Sequence, residues 1–153
     1  MHWSNIETRK KWDRAFMHHE ILESYPDGGF LTISRIKVSW PLKDRSFVLF
    51  RPPVKEVDWD GQEAFMLIQK NAWHPSRPAG ADGCVRATNG GNFTIIIPDK
   101  ENSTGECKMF GLRNNNYNGN FPKTKLRCIL AKKIPKTFNR LREGIIDGYK
   151  MYF

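Results

Sequence analysis

In RKKWD (9–13), Arg9 and Asp13 stand four residues apart, the spacing that sets a cation and a carboxylate on one face of a helix. Such a pair is either a solvated surface ion pair or a charge-balanced hook for a polar ligand. Arg51 raises the same question from a strand, closing RSFVLFR (45–51) in phase with Phe47 and Leu49. If those side chains face an interior, the guanidinium follows them, and a buried cation needs a protein carboxylate or a ligand anion. No catalytic set surrounds these charges. His2, His18, His19 and His74 are scattered, and the adjacent His18 and His19 would point to opposite faces of a strand, which is wrong for chelation. The G-x-S-x-G, phosphate-loop and H-E-x-x-H motifs are missing from the sequence. Cys84, Cys107 and Cys128 are odd in number and lack a C-x-x-C pair, which reads as reduced thiols. The sequence assigns no catalytic residue, no metal and no cofactor.

The elements that would carry these residues are mostly strands. NIETRKKWDRAF (5–16) reads as a short helix capped by Asn5, with Ile6, Trp12 and Phe16 near one face. Strand candidates follow: HEILESY (19–25), GFLTISRIKVSW (29–40), RSFVLFR (45–51), QEAFMLIQKNA (62–72), CVRATNGGNFTIIIP (84–98) and ECKMFGL (106–112). Turn signals rich in Pro and Gly separate them, and Asn89-Gly90-Gly91 reads as a hairpin turn between two arms of the fifth. Six or seven sequential strands imply an antiparallel meander. From Pro135 the period changes. Phe138, Leu141, Ile145, Tyr149 and Tyr152 recur every three or four residues, as in an amphipathic helix with proline in its first turn. The expected class is α+β, a curved antiparallel sheet closed by one long C-terminal helix, with an interior either packed or hollow.

At 153 residues the chain reads as a single domain, 1–153. Its longest apolar runs, FMLI (65–68) and TIII (94–97), are far below the roughly 20 residues of a membrane span. The first residues carry no apolar leader core, so a cytoplasmic protein is expected and the sequons NFT and NST are discounted. The net charge is +9, and residues 119–153 hold nine Lys/Arg against Glu143 and Asp147, a surplus of seven. Such a basic third predicts an anionic partner, either nucleic acid or an acidic membrane surface. The aromatic residues fall within strand and helix cores and do not interleave with Lys/Arg, which argues against nucleic acid.

Several motifs stand in an order that resembles the START lipid-transfer domain. They are RKKWD (9–13), EILES…DGG (20–29), SWPLKDRSFVLFR (39–51), HPSRPAGADGCVRA (74–87), NGNFPK (118–123) and AKKIPKTFNRLR (131–142). No one tripeptide is specific, but the ordered set spans residues 9–152. The resemblance implies a helix-grip fold around a tunnel for one lipid, which is carried and not converted. It departs at Arg45-Ser46, where the family has Arg-Asp, and at Asn118-Gly119, where it has Gly-Gly. The family's leading helix and first strands have no counterpart. Either the tunnel is open along one edge, or a second copy of the chain supplies the lost wall as a homodimer.

Residue by residue, the resemblance places Arg9 and Asp13 at the lipid head group, with Arg51 and Glu23 as further head-group candidates. Tunnel-lining candidates are Phe47, Leu49, Phe138, Leu141, Ile145 and Tyr149. The aromatic cage of the phosphatidylcholine carriers corresponds to Ser34, Phe47, Gly90 and Arg113, so one ring survives and choline is disfavoured. No acid near Ser34 matches the sterol carriers. Of the three polar residues of the ceramide carriers only Glu23 is matched, with Asp44 and Gly90 at the others. What remains suits a phospholipid with an anionic or small head group. The family's gate, its C-terminal helix and P-W-P loop, implies membrane docking through Trp40 and Leu42. The surplus charge adds Lys132, Lys133 and Lys136, for peripheral contact with an anionic membrane. Two competing readings are a basic nucleic-acid-binding module and a helix-grip enzyme on an apolar substrate, which would need an acid or base such as His74 or Glu23.

Overall fold

The computed structural model describes residues 13–38, 40–99 and 106–119, together with positions 124, 128, 131, 132, 134–137, 139, 140, 142 and 143. Ten strands occur in chain order: β1 (Phe16–Ser24), β2 (Phe30–Ile36), β3 (Arg45–Arg51), β4 (Lys55–Trp59), β5 (Gln62–Asn71), β6 (Val85–Arg86), β7 (Thr88–Asn89), β8 (Asn92–Pro98), β9 (Cys107–Leu112) and β10 (Asn115–Asn116). The main sheet runs β1-β2-β3-β5-β8-β9, with β4 paired to β5 and β6 paired to β3. A second small sheet joins β7 to β10.

β3 has the bounds its sequence predicts, because an apolar run is closed by Arg51 and two prolines that cannot extend the ladder. β2 and β3 are buried on both faces, hence their near-continuous apolar stretches. One face carries Leu31, Ile33 and Val48, packed by Leu22, Phe50 and Ala72. The other carries Phe47, Leu49 and Ala87, packed by Ile36 and Tyr117. A third cluster of Ala64, Ile95 and Ile97 consolidates the β4-β5-β8 region. Trp59 and Phe110 stack on that face at 6.5 Å between ring centroids, and both remain about half exposed.

Four expectations need correction. The strand at 29–40 ends at Ile36, because the next amides leave the ladder: Lys37 N–H donates to the Ala15 carbonyl and Val38 N–H to Asp44 Oδ1. The two arms about Asn89-Gly90-Gly91 do not form a hairpin. β6 pairs in parallel with β3, β7 pairs with β10, and only β8 enters the β5–β9 ladder, so the sheet is not a pure meander. β4 was not expected; it joins β5 through Asp60 and Gly61, both at positive φ, the geometry of a type I′ turn. Finally, helical positions occur on both sides of Pro135, from 124 to 143, so this proline does not open the helical stretch. The proposed helix over 5–16 lies largely outside the described residues; its last residue, Phe16, begins β1.

Candidate functional site

In an antiparallel ladder, directly opposed residues share a face. The β2–β3 register pairs Phe30 with Arg51, Thr32 with Leu49 and Ser34 with Phe47, so Phe47, Leu49 and Arg51 form one stripe. The stripe is buried, with Phe47 and Leu49 at 6% exposure and Arg51 at 7%. Arg51 lays its guanidinium over the Phe30 ring, 5.8 Å from the centroid, inside cation–π range. Tyr117 meets Phe47 edge-on at 6.1 Å, and its phenol pKa is raised by burial. Ser34 is 2.8 Å from His19 Nδ1. The face continues across the sheet, since Leu49 pairs with Asn71 and Gln69 with Asn92. At its far side Arg113 donates to Thr94 Oγ1 (3.0 Å) and to the Phe93 carbonyl (2.9 Å).

Arg45, at the other end of β3, is 2% exposed and structural. Its guanidinium donates to the carbonyls of Tyr117 (2.6 Å), Asn118 (3.1 Å) and Lys43, and burial lowers its pKa. It thereby ties the segment after β10 to β3. Ser46, which replaces the family's aspartate, accepts from Arg86 Nε at 3.1 Å. The carboxylate nearby is Asp82, a residue the sequence did not single out. Its side chain is 5% exposed, and Oδ2 lies 3.4 Å from Arg35 Nε. Burial alone would raise its pKa, but the Cys84 amide, Ser46, Arg35 and Arg86 outweigh it and lower it.

The structure divides the candidate head-group residues. Asp13 sits before β1, its carbonyl accepting from Phe16 N–H and its Oδ1 from Ala15 N–H. Phe16 pairs with Ile36 and Ile36 with Arg45, whereas Ser24, Phe30 and Arg51 align at the opposite end. At about 3.3 Å per residue, those ends are about 20 Å apart. Glu23 pairs with Leu31, which puts it on the other face from Arg51. There it accepts from Tyr25 (2.6 Å) and from His74 Nε2 (3.0 Å), and those bonds hold its pKa below the ordinary carboxylate value. Ser76 N–H donates to His74 Nδ1, which leaves the ring proton on Nε2, toward Glu23. So Glu23 clamps the 73–84 loop to β1 and is not gathered with Arg51.

Trp40 is 92% exposed in the β2–β3 loop, at the Asp13 end, and Leu42 is half-buried beside it. Lys132 and Lys136 are helical and exposed. Arg9, Lys133, Phe138, Leu141, Ile145 and Tyr149 lie outside the described residues. A group the sequence reading missed is a cluster of asparagines beside the stripe. Asn71 Oδ1 accepts from Asn89 N–H, Asn92 Nδ2 donates to Asn115 Oδ1, and Asn92 Oδ1 accepts from Asn114 N–H. Its signal was the asparagine density of residues 89–92 and 114–118, which the turn reading absorbed. Gly90 does not line the stripe as a small residue; a Cβ there would stand 2.5 Å from Asn114 Nδ2.

A family comparison is consistent with this geometry, matching the START domain over residues 2–145. The chain belongs to the START domain family. START domains bind and transfer lipids, and as a rule do no chemistry on them. The mouse (Mus musculus) ceramide transfer protein is 24% identical over 147 residues, covering 89% of this chain and 23% of that protein. Among solved structures, human STARD10 superposes with a TM-score of 0.80 at 18% identity, over 97% of this chain and 57% of that one. Human StAR-related lipid transfer protein 5 gives 0.78 at 16% identity, over 96% and 73%. The lipid transfer and protein localization domain of human StarD13 gives 0.71 at 19%, over 89% and 64%. The chain thus spans just over half of the STARD10 chain and under a quarter of the ceramide transfer protein. These likenesses establish a START fold for this sheet. Among the described residues no helix is long and apolar enough to cross a membrane.

Proposed function

We propose that residues 1–153 act as one lipid-binding domain that carries a single phospholipid with an anionic or small head group between membranes, without chemical conversion. The observation that carries this reading is Arg51, a buried cation at the end of the otherwise apolar stripe of Phe47 and Leu49. A planar guanidinium on this face can offer a phosphate a bidentate, charge-assisted fork, while acyl chains cover the apolar remainder. Because Arg51 and the Trp40 loop lie at opposite ends of β3, the lipid enters head first and its chains point back toward that loop. Asp13 then belongs to the entrance end. Phe138, Leu141, Ile145 and Tyr149 of the C-terminal helix close the tunnel, and that helix is its gate.

Docking is peripheral, on the cytoplasmic leaflet. Trp40 is suited to the interface, and Lys132, Lys133 and Lys136 to anionic lipid at about 1 kcal/mol per basic residue near the surface. Among the described residues β1 and β9 end the sheet order, and a second copy would complete the wall at the β9 edge. The test is transfer of labelled phosphatidylglycerol between vesicles, with cholesterol as the phosphate-free comparison. Transfer of the phospholipid supports the reading; failure to move either lipid, or a preference for the sterol, overturns it.

A further inference from the structure

Asn89 is 5% exposed, and one neighbour, Gly91, sets the orientation of its side-chain amide. Oδ1 accepts from Gly91 N–H at 2.6 Å, which assigns the oxygen and leaves Nδ2 as the donor. Among the described residues no acceptor lies within hydrogen-bond distance of Nδ2, and the atom is buried. A buried amide donor left unmade costs the fold free energy, so a native protein that keeps one calls for an explanation.

Its place on the sheet supplies one. The parallel β3–β6 register pairs Arg45 with Val85 and Ser46 with Arg86. Continuing that alternation puts Ala87 beside Phe47 and Asn89 beside Leu49, on the stripe face. Ala87 does pack with Phe47 and Leu49, and Asn89 N–H donates to Asn71, the residue opposed to Leu49. Asn89 therefore stands between the Arg51 end and the apolar Phe47–Tyr117 part of the same face. An uncharged donor at the border of a cationic end and an apolar run suits a neutral acceptor at the border of a head group and an acyl chain.

We infer that Asn89 Nδ2 donates to an acyl carbonyl oxygen of the bound lipid, ester or amide, and so selects acyl over alkyl-ether chains. This deepens the lipid-carrier reading and rests on it. The experiment compares binding of dioleoylphosphatidylglycerol with its dialkyl-ether analogue, which keeps the head group, phosphate and chain length but lacks both carbonyls. Wild type should prefer the ester by about 3- to 10-fold, the range of one net neutral hydrogen bond. Asn89→Asp keeps the acceptor for Gly91 N–H but offers no donor, and should bind the two lipids within a factor of two. Asn89→Leu serves as the uncharged second variant, and melting curves verify that each is folded. Equal affinity of wild type for ester and ether, or an ester preference that survives both substitutions, overturns the inference while leaving the carrier reading intact. If wild type binds neither lipid, the carrier reading falls and the inference with it.

Discussion

Replacing Arg51 by methionine removes the cation while keeping an unbranched apolar stem of similar reach. In the folded chain Arg51 is 7% exposed, so a lipid phosphate beside it would be largely shielded from water. A charge-assisted hydrogen bond in such a place is worth about 1.5–3 kcal/mol, which converts to about a 10- to 150-fold loss of phospholipid affinity. Folding is followed in parallel, because the substitution also removes the cation–π contact with Phe30, worth about 0.5–2 kcal/mol. Each kcal/mol lost lowers the melting temperature of a chain this size by about 2–4 °C. The assay is equilibrium binding of fluorescent phosphatidylglycerol, with a fluorescent sterol in parallel. Arg51→Lys, which keeps the charge but not the planar fork, should recover part of the loss. An equal loss for the sterol would mean that Arg51 only shapes the wall; unchanged phospholipid binding would remove the phosphate from this end of the sheet.

Asp82→Asn should destabilise the fold by about 1–3 kcal/mol, since it removes the buried carboxylate beside Arg35, whose own side chain is 36% exposed, and weakens the acceptor of the Cys84 amide. Ser46→Asp in that background should restore part of the loss in urea unfolding, whereas Ser46→Asp alone, setting two carboxylates together, should not stabilise. The folded-state pKa of Glu23 lies below its ordinary 4.5, so its contribution is present above that value and is lost as pH falls through the lower folded value. Amide exchange in the 73–84 loop should rise with acidification there, and Glu23→Gln should flatten that response. Trp40→Ala should leave the melting temperature within about 1–2 °C, given 92% exposure, yet weaken binding to anionic vesicles; neutralising Lys132 and Lys136 should weaken it further and reduce its salt dependence. Indifference of vesicle binding to charge, salt and Trp40 together would place docking elsewhere.

Where an element's information is local, the sequence discloses it. β3 reads correctly because its apolar run is bounded by a charge and Pro-Pro, and Arg51's phase with Leu49 follows from the two-residue period alone. β4 was missed because it is a mostly exposed edge strand, with Val57 alone half-buried, so neither alternation nor an apolar run announces it. The pairing of β6 with β3 and of β7 with β10 joins residues 26 to 40 positions apart, which no local pattern encodes. Asn89 was hidden for the same reason: in sequence it opens a glycine turn, and only the β3–β6 register sets it beside Leu49. Asp13 and Arg51 were grouped because both are charged residues of one family pattern, whereas the β1-β2-β3 register holds them at opposite ends.

The central claim, that the Phe47–Leu49–Arg51 face holds a lipid by its phosphate, is tested most directly by native mass spectrometry of the purified chain, with lipid analysis of its extract. The account predicts one phospholipid per chain in the wild type and its loss or depletion in Arg51→Met. A lipid-free wild type after passage over mixed vesicles, or an Arg51→Met variant that carries the same phospholipid at the same occupancy, would contradict it.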